Sequence, residues 1–212
     1  VTVEDLFQRA IVQYEAGNYE SAIASYEQAL KLQPDDYQAW FKRSNALYGL
    51  GRYEEAIASY EQALKIQPDY SNAWGNRGTA LSALGRYEEA IASYDQALYF
   101  NPDFSIDWGT RGAALNNLGR YQEALESAER NITLQAEEAY GWYVKGYALN
   151  RLTCYEEAIA SCEQALKLKP DHSSAWFERG IALSNLGRHE AAIASYEQAL
   201  KLQPDSSNGW YN

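Results

Sequence analysis

Hydrophobic and polar positions along the chain alternate with the period of an α-helix, as residues 37–70 illustrate. Trp40, Leu47 and Leu50 fall near one face of a helix with about 3.6 residues per turn. Gly51 follows them, and glycine is typical of a helix end because it readily takes a left-handed backbone conformation. The pattern therefore predicts a first helix that ends near residue 50.

A second amphipathic helix is predicted directly afterwards. Glu54 and Glu55 favour its beginning, because acidic side chains stabilise the positive end of the helix dipole. Lys65 lies near its end, and Pro68 closes it. Since two short helices cannot bury their apolar faces alone, we expect hairpins of this kind to stack on one another. The apolar stripe of this second helix consists of Ala56, Ile57, Tyr60, Ala63 and Leu64.

The spacing of tryptophan and proline indicates that this hairpin recurs along the chain. All six tryptophans lie 34 residues apart, at Trp40, Trp74, Trp108, Trp142, Trp176 and Trp210. All five prolines follow the same lattice with one position skipped, at Pro34, Pro68, Pro102, Pro170 and Pro204. The lattice predicts six copies of 34 residues, at 3–36, 37–70, 71–104, 105–138, 139–172 and 173–206, while residues 207–212 open a seventh copy or form a capping helix.

Nine positions recur within the copies. The third copy has Trp74 at position 4, Gly78 at 8, Leu81 at 11, Gly85 at 15, Tyr87 at 17, Ala90 at 20, Tyr94 at 24, Ala97 at 27 and Pro102 at 32. This pattern resembles the tetratricopeptide repeat over residues 3–212. The resemblance implies an all-α fold, an α-solenoid of antiparallel helix hairpins that forms a right-handed superhelix and a single repeat domain. Such near-identical tandem copies also resemble those of bacterial proteins, cyanobacterial ones in particular.

The resemblance also implies a binding surface. In the family, the first helices line a concave groove that holds a peptide or a partner's helix, through positions 2, 5, 6, 9, 12 and 13. In this chain the second helices are nearly identical between copies, whereas the first helices vary. Two interpretations stay open. The groove carries the information that selects a ligand, or its positions have drifted because they tolerate change.

Aromatic side chains dominate both ends of the predicted groove, and small residues dominate the third and fourth copies. We therefore expect a central hollow between Tyr48 on one side and Tyr143 and Tyr147 on the other. The alternative is that the aromatic side chains fill a tight superhelix. The candidate peptide-binding residues are Phe7, Ile11, Tyr14, Phe41, Asn45, Tyr48, Asn72, Asn76, Thr79, Asn116, Asn117, Tyr140, Tyr143, Tyr147, Asn150 and Phe177.

Two copies depart from the common pattern. In the fourth copy, Ala128 replaces the tyrosine at position 24 and Asn131 replaces the alanine at position 27. In the fifth copy, Cys162 stands at position 24 and Thr153 replaces the glycine at position 15. We expect altered packing near residues 125–160. It is either a hinge or ligand-shaped distortion, or the mark of a decayed repeat.

A cation recurs at position 7 and an acid at position 33, which predicts a ladder of ion pairs between neighbouring copies. Exposed pairs of this kind contribute about 0.2–1 kcal/mol each, so we expect the ladder to be structural. The cations are Arg9, Arg43, Arg77, Arg111, Lys145 and Arg179, and the acids are Asp35, Asp69, Asp103, Glu137, Asp171 and Asp205.

Composition narrows the classes of function. The 212 residues carry a formal net charge of −11, and an acidic chain repels phosphate backbones, so we expect no nucleic-acid partner. The apolar runs are far shorter than the roughly 20 residues of a membrane helix, and no secretory signal is visible. Cys154 and Cys162 are too far apart on one helix to form a disulfide, which fits a reducing, cytoplasmic location. The start at Val1 suggests a fragment of a longer protein.

The sequence contains no recognisable catalytic or cofactor-binding arrangement. His189 replaces a packing tyrosine, and His172 lies in a turn between copies, so no metal-ligand spacing is formed. The glycines match no phosphate-binding motif. We therefore predict no enzyme activity, no cofactor and no metal. One subclass of the family grips a C-terminal carboxylate with lysine at position 5 and asparagine at position 9, and only Asn45 matches that clamp.

These observations favour a protein-interaction scaffold that binds a peptide or protein segment in the concave groove. Two alternatives remain. The solenoid could self-associate end to end, through a last copy that begins with Trp210 and Tyr211. It could also recruit substrates for an enzyme domain that lies outside these residues.

Overall fold

The computed structural model describes residues 2–204, and this part of the chain contains twelve α-helices and no strand. First helices of 13 residues alternate with second helices of 14 residues. Consecutive helices pack as hairpins, which confirms the predicted all-α solenoid of helix hairpins. Residues 207–212, and with them Trp210 and Tyr211, lie outside the described residues.

Contacts between Cα atoms group the chain into two compact units, residues 1–102 and residues 103–212. The N-terminal unit contains α1 (Val3–Glu15), α2 (Tyr19–Leu32), α3 (Tyr37–Gly49), α4 (Tyr53–Ile66), α5 (Ser71–Ala83) and α6 (Tyr87–Phe100). The C-terminal unit contains α7 (Ser105–Asn117), α8 (Tyr121–Leu134), α9 (Ala139–Arg151), α10 (Tyr155–Leu168), α11 (Ser173–Asn185) and α12 (His189–Leu202). The right-handed superhelix and the single domain stay predictions from the resemblance.

The packing of each hairpin depends on a small residue at position 8. A Cβ atom added to Gly78 in α5 would lie 2.7 Å from the ring of Tyr94 in α6, which is closer than real Cβ contacts allow. Gly180 and Tyr196 repeat this arrangement in the last hairpin, at 2.5 Å. The missing side chain lets the aromatic ring at position 24 lie directly on the first helix.

Neighbouring hairpins are joined by the side chain at position 7. Arg77 in α5 contacts Glu61 of the preceding hairpin at 2.8 Å and donates to Ser93 of its own hairpin at 2.6 Å. Arg179 repeats both contacts, with Glu163 at 2.8 Å and Ser195 at 2.7 Å.

The predicted ladder therefore exists, but its acid partner was predicted wrongly. The partner is the glutamate at position 25, not the acid at position 33. The reason lies in the tryptophan one turn earlier. Trp74 donates its indole N–H to the carbonyl of Pro68 at 2.8 Å, and the Arg77 guanidinium lies 5.9 Å from the centre of its ring. This stacking keeps the guanidinium beside the preceding second helix and away from the turn that carries position 33.

A glycine with positive φ ends most of the first helices, as Gly51 does at φ +73°. The fifth hairpin has Thr153 there, and it keeps the same left-handed conformation at φ 63°. Cys154 N–H still bonds to Leu149 O at 2.9 Å, so the turn is preserved at the expense of strain on a β-branched residue.

We expect Thr153→Gly to raise the free energy of unfolding by about 0.5–1 kcal/mol, because glycine relieves that strain. Urea unfolding followed by circular dichroism measures the change. Gly51→Ala is the matched control and should lower stability by about 1 kcal/mol. No atom lies within 4 Å of the Cβ that alanine would add at Gly51, so the loss of stability would come from the backbone conformation alone. A Thr153→Gly chain that is less stable than wild type would contradict this account.

Candidate functional site

A hollow of about 220 Å³ opens on the first helices of the N-terminal unit. Five of the predicted groove residues line it. The sixth lining residue, Tyr60, was not predicted, because position 24 is a core position in the repeat pattern, and Tyr60 is indeed buried. The lining residues are Tyr14 from α1, Asn45 and Tyr48 from α3, Tyr60 from α4, and Asn76 and Thr79 from α5.

Hydrogen bonds fix the amides of the hollow in one orientation. Asn45 Oδ1 accepts from Tyr60 Oη at 2.7 Å and from Asn76 Nδ2 at 3.0 Å. Burial raises the pKa of Tyr60 well above its usual range, so its hydroxyl stays a neutral donor. Within the described part of the chain, the Nδ2 group of Asn45 and the Oδ1 atom of Asn76 have no protein partner. The hollow therefore presents one hydrogen-bond donor beside one acceptor.

Tyrosine rings form the walls of the hollow. Tyr14 packs on Tyr19 and Tyr48 packs on Tyr53, with ring centroids 5.2 Å apart in both pairs. Burial raises the pKa values of Tyr14 and Tyr48, so both rings stay uncharged at neutral pH. No acidic or basic side chain is among the residues that line this hollow.

The other predicted residues of this unit have different surroundings. Phe41 is buried, with its ring 4.9 Å from Tyr70, and this corrects its prediction as a peptide-binding side chain. Phe7 packs edge-on against Tyr26 at 5.7 Å. Ile11 is half-buried, and Asn72 is exposed.

The hydroxyl of Tyr26 shows what the amide of Asn45 contributes. Tyr26 stands at the same repeat position as Tyr60, but its neighbour at position 9 is Ile11, and its buried hydroxyl has no hydrogen-bond partner in the described structure. We expect Tyr60→Phe to lower the free energy of unfolding by about 1 kcal/mol, because it removes the Asn45 bond. Tyr26→Phe should leave stability unchanged or raise it. Urea denaturation measures both, and equal losses in the two variants would refute this explanation.

In the C-terminal unit, two predicted asparagines are used inside the fold. Asn116 Nδ2 donates to Val144 O at 3.1 Å, and Asn150 Nδ2 donates to Glu178 O at 2.8 Å. Both side chains are buried, so neither faces a ligand, and this corrects their prediction as groove residues. In each case position 12 of one first helix bonds to position 6 of the next, and the two first helices lie in direct contact.

Small side chains at position 24 explain this close approach. Most other hairpins have a tyrosine at position 24 that packs on the small residue at position 8. The fourth hairpin has Ala128 instead, and Val144 from the next first helix occupies the space beside Gly112. A Cβ on Gly112 would lie 3.0 Å from Val144 Cγ1. In the fifth hairpin Cys162 is the small side chain, 2.7 Å from a Cβ on Gly146.

A second substitution in the irregular stretch is also compensated. Asn131 donates to Ser105 O at 2.8 Å, and a Cβ on Gly141 would lie only 1.9 Å from its Oδ1 atom, so Asn131 depends on the glycine. The altered packing expected near residues 125–160 is therefore present, and its substitutions fit one another.

The predicted tyrosines of the C-terminal unit pack against other side chains of the same unit. Tyr143 lies 4.8 Å from the ring of His172, and burial raises its pKa well above the usual range. Tyr140 lies 6.3 Å from Tyr143. The Arg151 guanidinium covers the ring of Tyr147 at 4.3 Å.

Glu178, behind this aromatic layer, is buried and 3.4 Å from Arg151. Burial raises the pKa of Glu178, while Arg151 and Asn150 act in the opposite direction. Phe177 packs on Tyr196 at 5.5 Å, and Asn117 is exposed, with its amide bonded to Ala113 O in the same helix. The expected hollow between Tyr48 and the pair Tyr143 and Tyr147 would span both units, and it stays a prediction.

Asp107 is the most strongly perturbed carboxyl group of this unit. It stands at position 3, where Ala39, Ala73 and Ala175 stand in other copies, and it is buried. Its Oδ2 atom has no hydrogen-bond partner in the described residues. Burial raises the pKa of Asp107 to about 7.

This raised pKa predicts a stability that falls as pH increases. The folded state holds the proton more tightly than the unfolded state, so Asp107 costs nothing below about pH 4 and its full penalty above about pH 7. We expect Asp107→Ala to raise the free energy of unfolding by up to about 4 kcal/mol at pH 8 and to change it little at pH 4. Urea titrations at both pH values measure this. A gain that is the same at both would show that ionisation is not the cause.

The described residues contain no helix long and apolar enough to cross a membrane. The same residues bring no three metal-ligating side chains of the His, Cys, Asp and Glu types together.

Comparison with protein families identifies the chain. Two family models, both described as tetratricopeptide repeat, match it. The first matches residues 7–71, 42–104 and 110–171, and the second matches residues 147–208. The chain belongs to the tetratricopeptide-repeat family, as its repeat pattern predicted. No curated protein matches the sequence.

Solved structures show the same fold. PilW, a widely conserved type IV pilus biogenesis factor, is 23% identical with a TM-score of 0.81, over 99% of this chain and 96% of that one. A tetratricopeptide repeat protein from Parabacteroides merdae is 18% identical with a TM-score of 0.81, over 99% and 87%. YrrB, described as a protein with an unusual peptide-binding site, is 21% identical with a TM-score of 0.70, over 85% and 93%.

Proposed function

We propose that the N-terminal unit binds an extended, uncharged peptide segment of a partner protein in the hollow between Tyr14 and Tyr48. The tetratricopeptide-repeat fold is a scaffold for protein–protein interaction, and repeat proteins of this class are generally not catalysts. The single observation that carries the finer proposal is the amide pair of Asn45 and Asn76, a donor beside an acceptor. A peptide group offers the complementary acceptor and donor within one residue.

The side chains that line the hollow indicate which kind of peptide side chain it accepts. Tyrosine rings contribute large contact areas with little loss of side-chain entropy, which is why aromatic side chains dominate the energies of many interfaces. The absence of lining charges, together with the net charge of −11, disfavours acidic ligands and gives cationic ones no specific partner. A neutral segment with aliphatic or amide side chains fits this surface.

Selection from a random peptide library displayed on phage, with the immobilised chain as bait, tests the proposal. We expect Asn45→Ala and Tyr48→Ala each to weaken the selected peptides about tenfold or more. The matched controls are Asn117→Ala and Tyr147→Ala, which remove the same side chains from the C-terminal unit and should leave affinity unchanged. Circular dichroism checks that each variant stays folded.

Peptides that bind the Asn45→Ala and Tyr48→Ala chains as tightly as wild type would refute the proposal. A loss confined to the Tyr147→Ala chain would place the binding surface in the C-terminal unit. A Tyr143→Ala chain is unsuitable for this comparison, because Tyr143 supports packing against His172.

The self-assembly alternative has a specific observation in its favour: no helix among residues 2–204 covers the exposed apolar side chains Ile193 and Leu200 of α12. The proposal includes a cytoplasmic location, which the two free cysteines Cys154 and Cys162 support. It also includes a bacterial origin, which the near-identical tandem copies support.

A further inference from the structure

The last described helix, α12, exposes apolar side chains that its equivalents bury. Ile193 is 57% exposed, whereas Ile23, Ile57 and Ile159 at the same repeat position are between 4% and 8% exposed. Leu200 is 37% exposed, whereas Leu30, Leu64 and Leu166 at the same repeat position are 6% to 7% exposed. The difference arises because α2, α4 and α10 are each covered by the first helix of the next hairpin.

The first helix, α1, exposes the opposite half of such a junction. Val12 is 64% exposed at position 10. The alanines at this position in later hairpins, Ala46, Ala80, Ala148 and Ala182, are fully buried. The described residues thus contain one second helix without a following first helix, and one first helix without a preceding second helix.

The charges at these two faces are complementary. Each junction inside a unit pairs the cation at position 7 with the glutamate at position 25 of the preceding hairpin, as in Arg43 with Glu27 at 2.7 Å and Lys145 with Glu129 at 2.9 Å. In the part of the chain that the structure describes, Arg9 on α1 has no glutamate of this kind beside it, and Glu197 on α12 has no cation. Arg9 and Glu197 therefore stand at the two repeat positions that form ion pairs at the junctions within each unit.

We propose that α1 of one molecule docks on α12 of a second molecule. The junction places Arg9 beside Glu197 and Val12 beside Ile193, in the arrangement that joins hairpins within each unit. It does not depend on the proposed peptide site, and it gives the self-assembly alternative a defined surface. Because the two faces differ, the contact is head to tail, and it builds chains of molecules unless the rotation closes a ring.

Two polar residues on α1 set the strength of the contact. Asp5 and Gln13 replace the usual alanine and leucine at positions 3 and 11, and Gln13 accepts a bond from Ser25 at 2.7 Å. These side chains reduce the apolar area on the α1 side. The association is therefore weaker than the junctions within the fold, and it is reversible and dependent on concentration.

Sedimentation velocity of the 212-residue chain, over roughly a hundredfold range of concentration, tests the proposal. We expect the average mass to rise with concentration. Arg9→Glu and Glu197→Arg place like charges together, so each should weaken association about tenfold or more. An equimolar mixture of these two variants, or the double variant, should restore association. The matched control is Glu126→Arg on α8, the same change of charge at position 22, which is exposed in every hairpin.

Ile193→Cys provides an independent readout through labelling by a thiol reagent. At high protein concentration we expect the docked molecule to protect the introduced cysteine from the reagent, and at low protein concentration we expect that cysteine to react. The exposed Cys154 serves as the internal reference for the labelling rate. A mass that stays monomeric at every concentration would overturn the proposal. So would Ile193→Cys protected in a monomer, because a segment of the same chain would then cover α12.

If Arg9→Glu and Glu197→Arg leave the concentration dependence of the mass unchanged, the proposal is equally overturned. Asn45→Ala separates the two proposals, because it should weaken peptide binding and leave the mass profile unchanged.

Discussion

Each hairpin depends on the contact between position 8 of its first helix and position 24 of its second. Where a tyrosine fills position 24, its ring lies on a small residue and takes up the space between the two helices, as Tyr94 does on Gly78. The contact determines how closely the next first helix approaches. Hydrophobic burial makes the hairpins stack, but the side chain at position 24 decides what the stacked helices leave open.

The two units show both outcomes of this constraint. In the N-terminal unit, Tyr60 fills its position and Tyr48 stands at position 12, so neighbouring first helices are held apart and the hollow stays open. In the C-terminal unit, Ala128 leaves room for Val144, and Asn116 bonds across the narrowed gap. With smaller side chains at position 24, a packed interface between first helices therefore takes the place of a hollow.

The sequence allowed the helix hairpins to be predicted almost completely, because the 34-residue lattice is local and most helix ends carry their own signal, such as Gly51. It predicted five of the six residues around the hollow for the same reason, since Asn45 and its neighbours follow helical spacing. It failed at Asn116 and Asn150. Their environment depends on the backbone of the next hairpin, which lies within hydrogen-bond distance where position 24 carries a small side chain. The repeat position of an asparagine alone does not show this dependence on another residue.

The helical period also keeps the two proposed surfaces apart. Positions 9 and 12 of the first helices α1 and α3 lie on the face that lines the hollow, whereas positions 7 and 10 lie on the face toward the preceding hairpin, because successive residues are rotated by about 100°. In α1, Tyr14 therefore reaches the hollow while Arg9 and Val12 remain available to another molecule. The proposed peptide and the proposed second molecule would therefore contact different faces of α1 and would not compete.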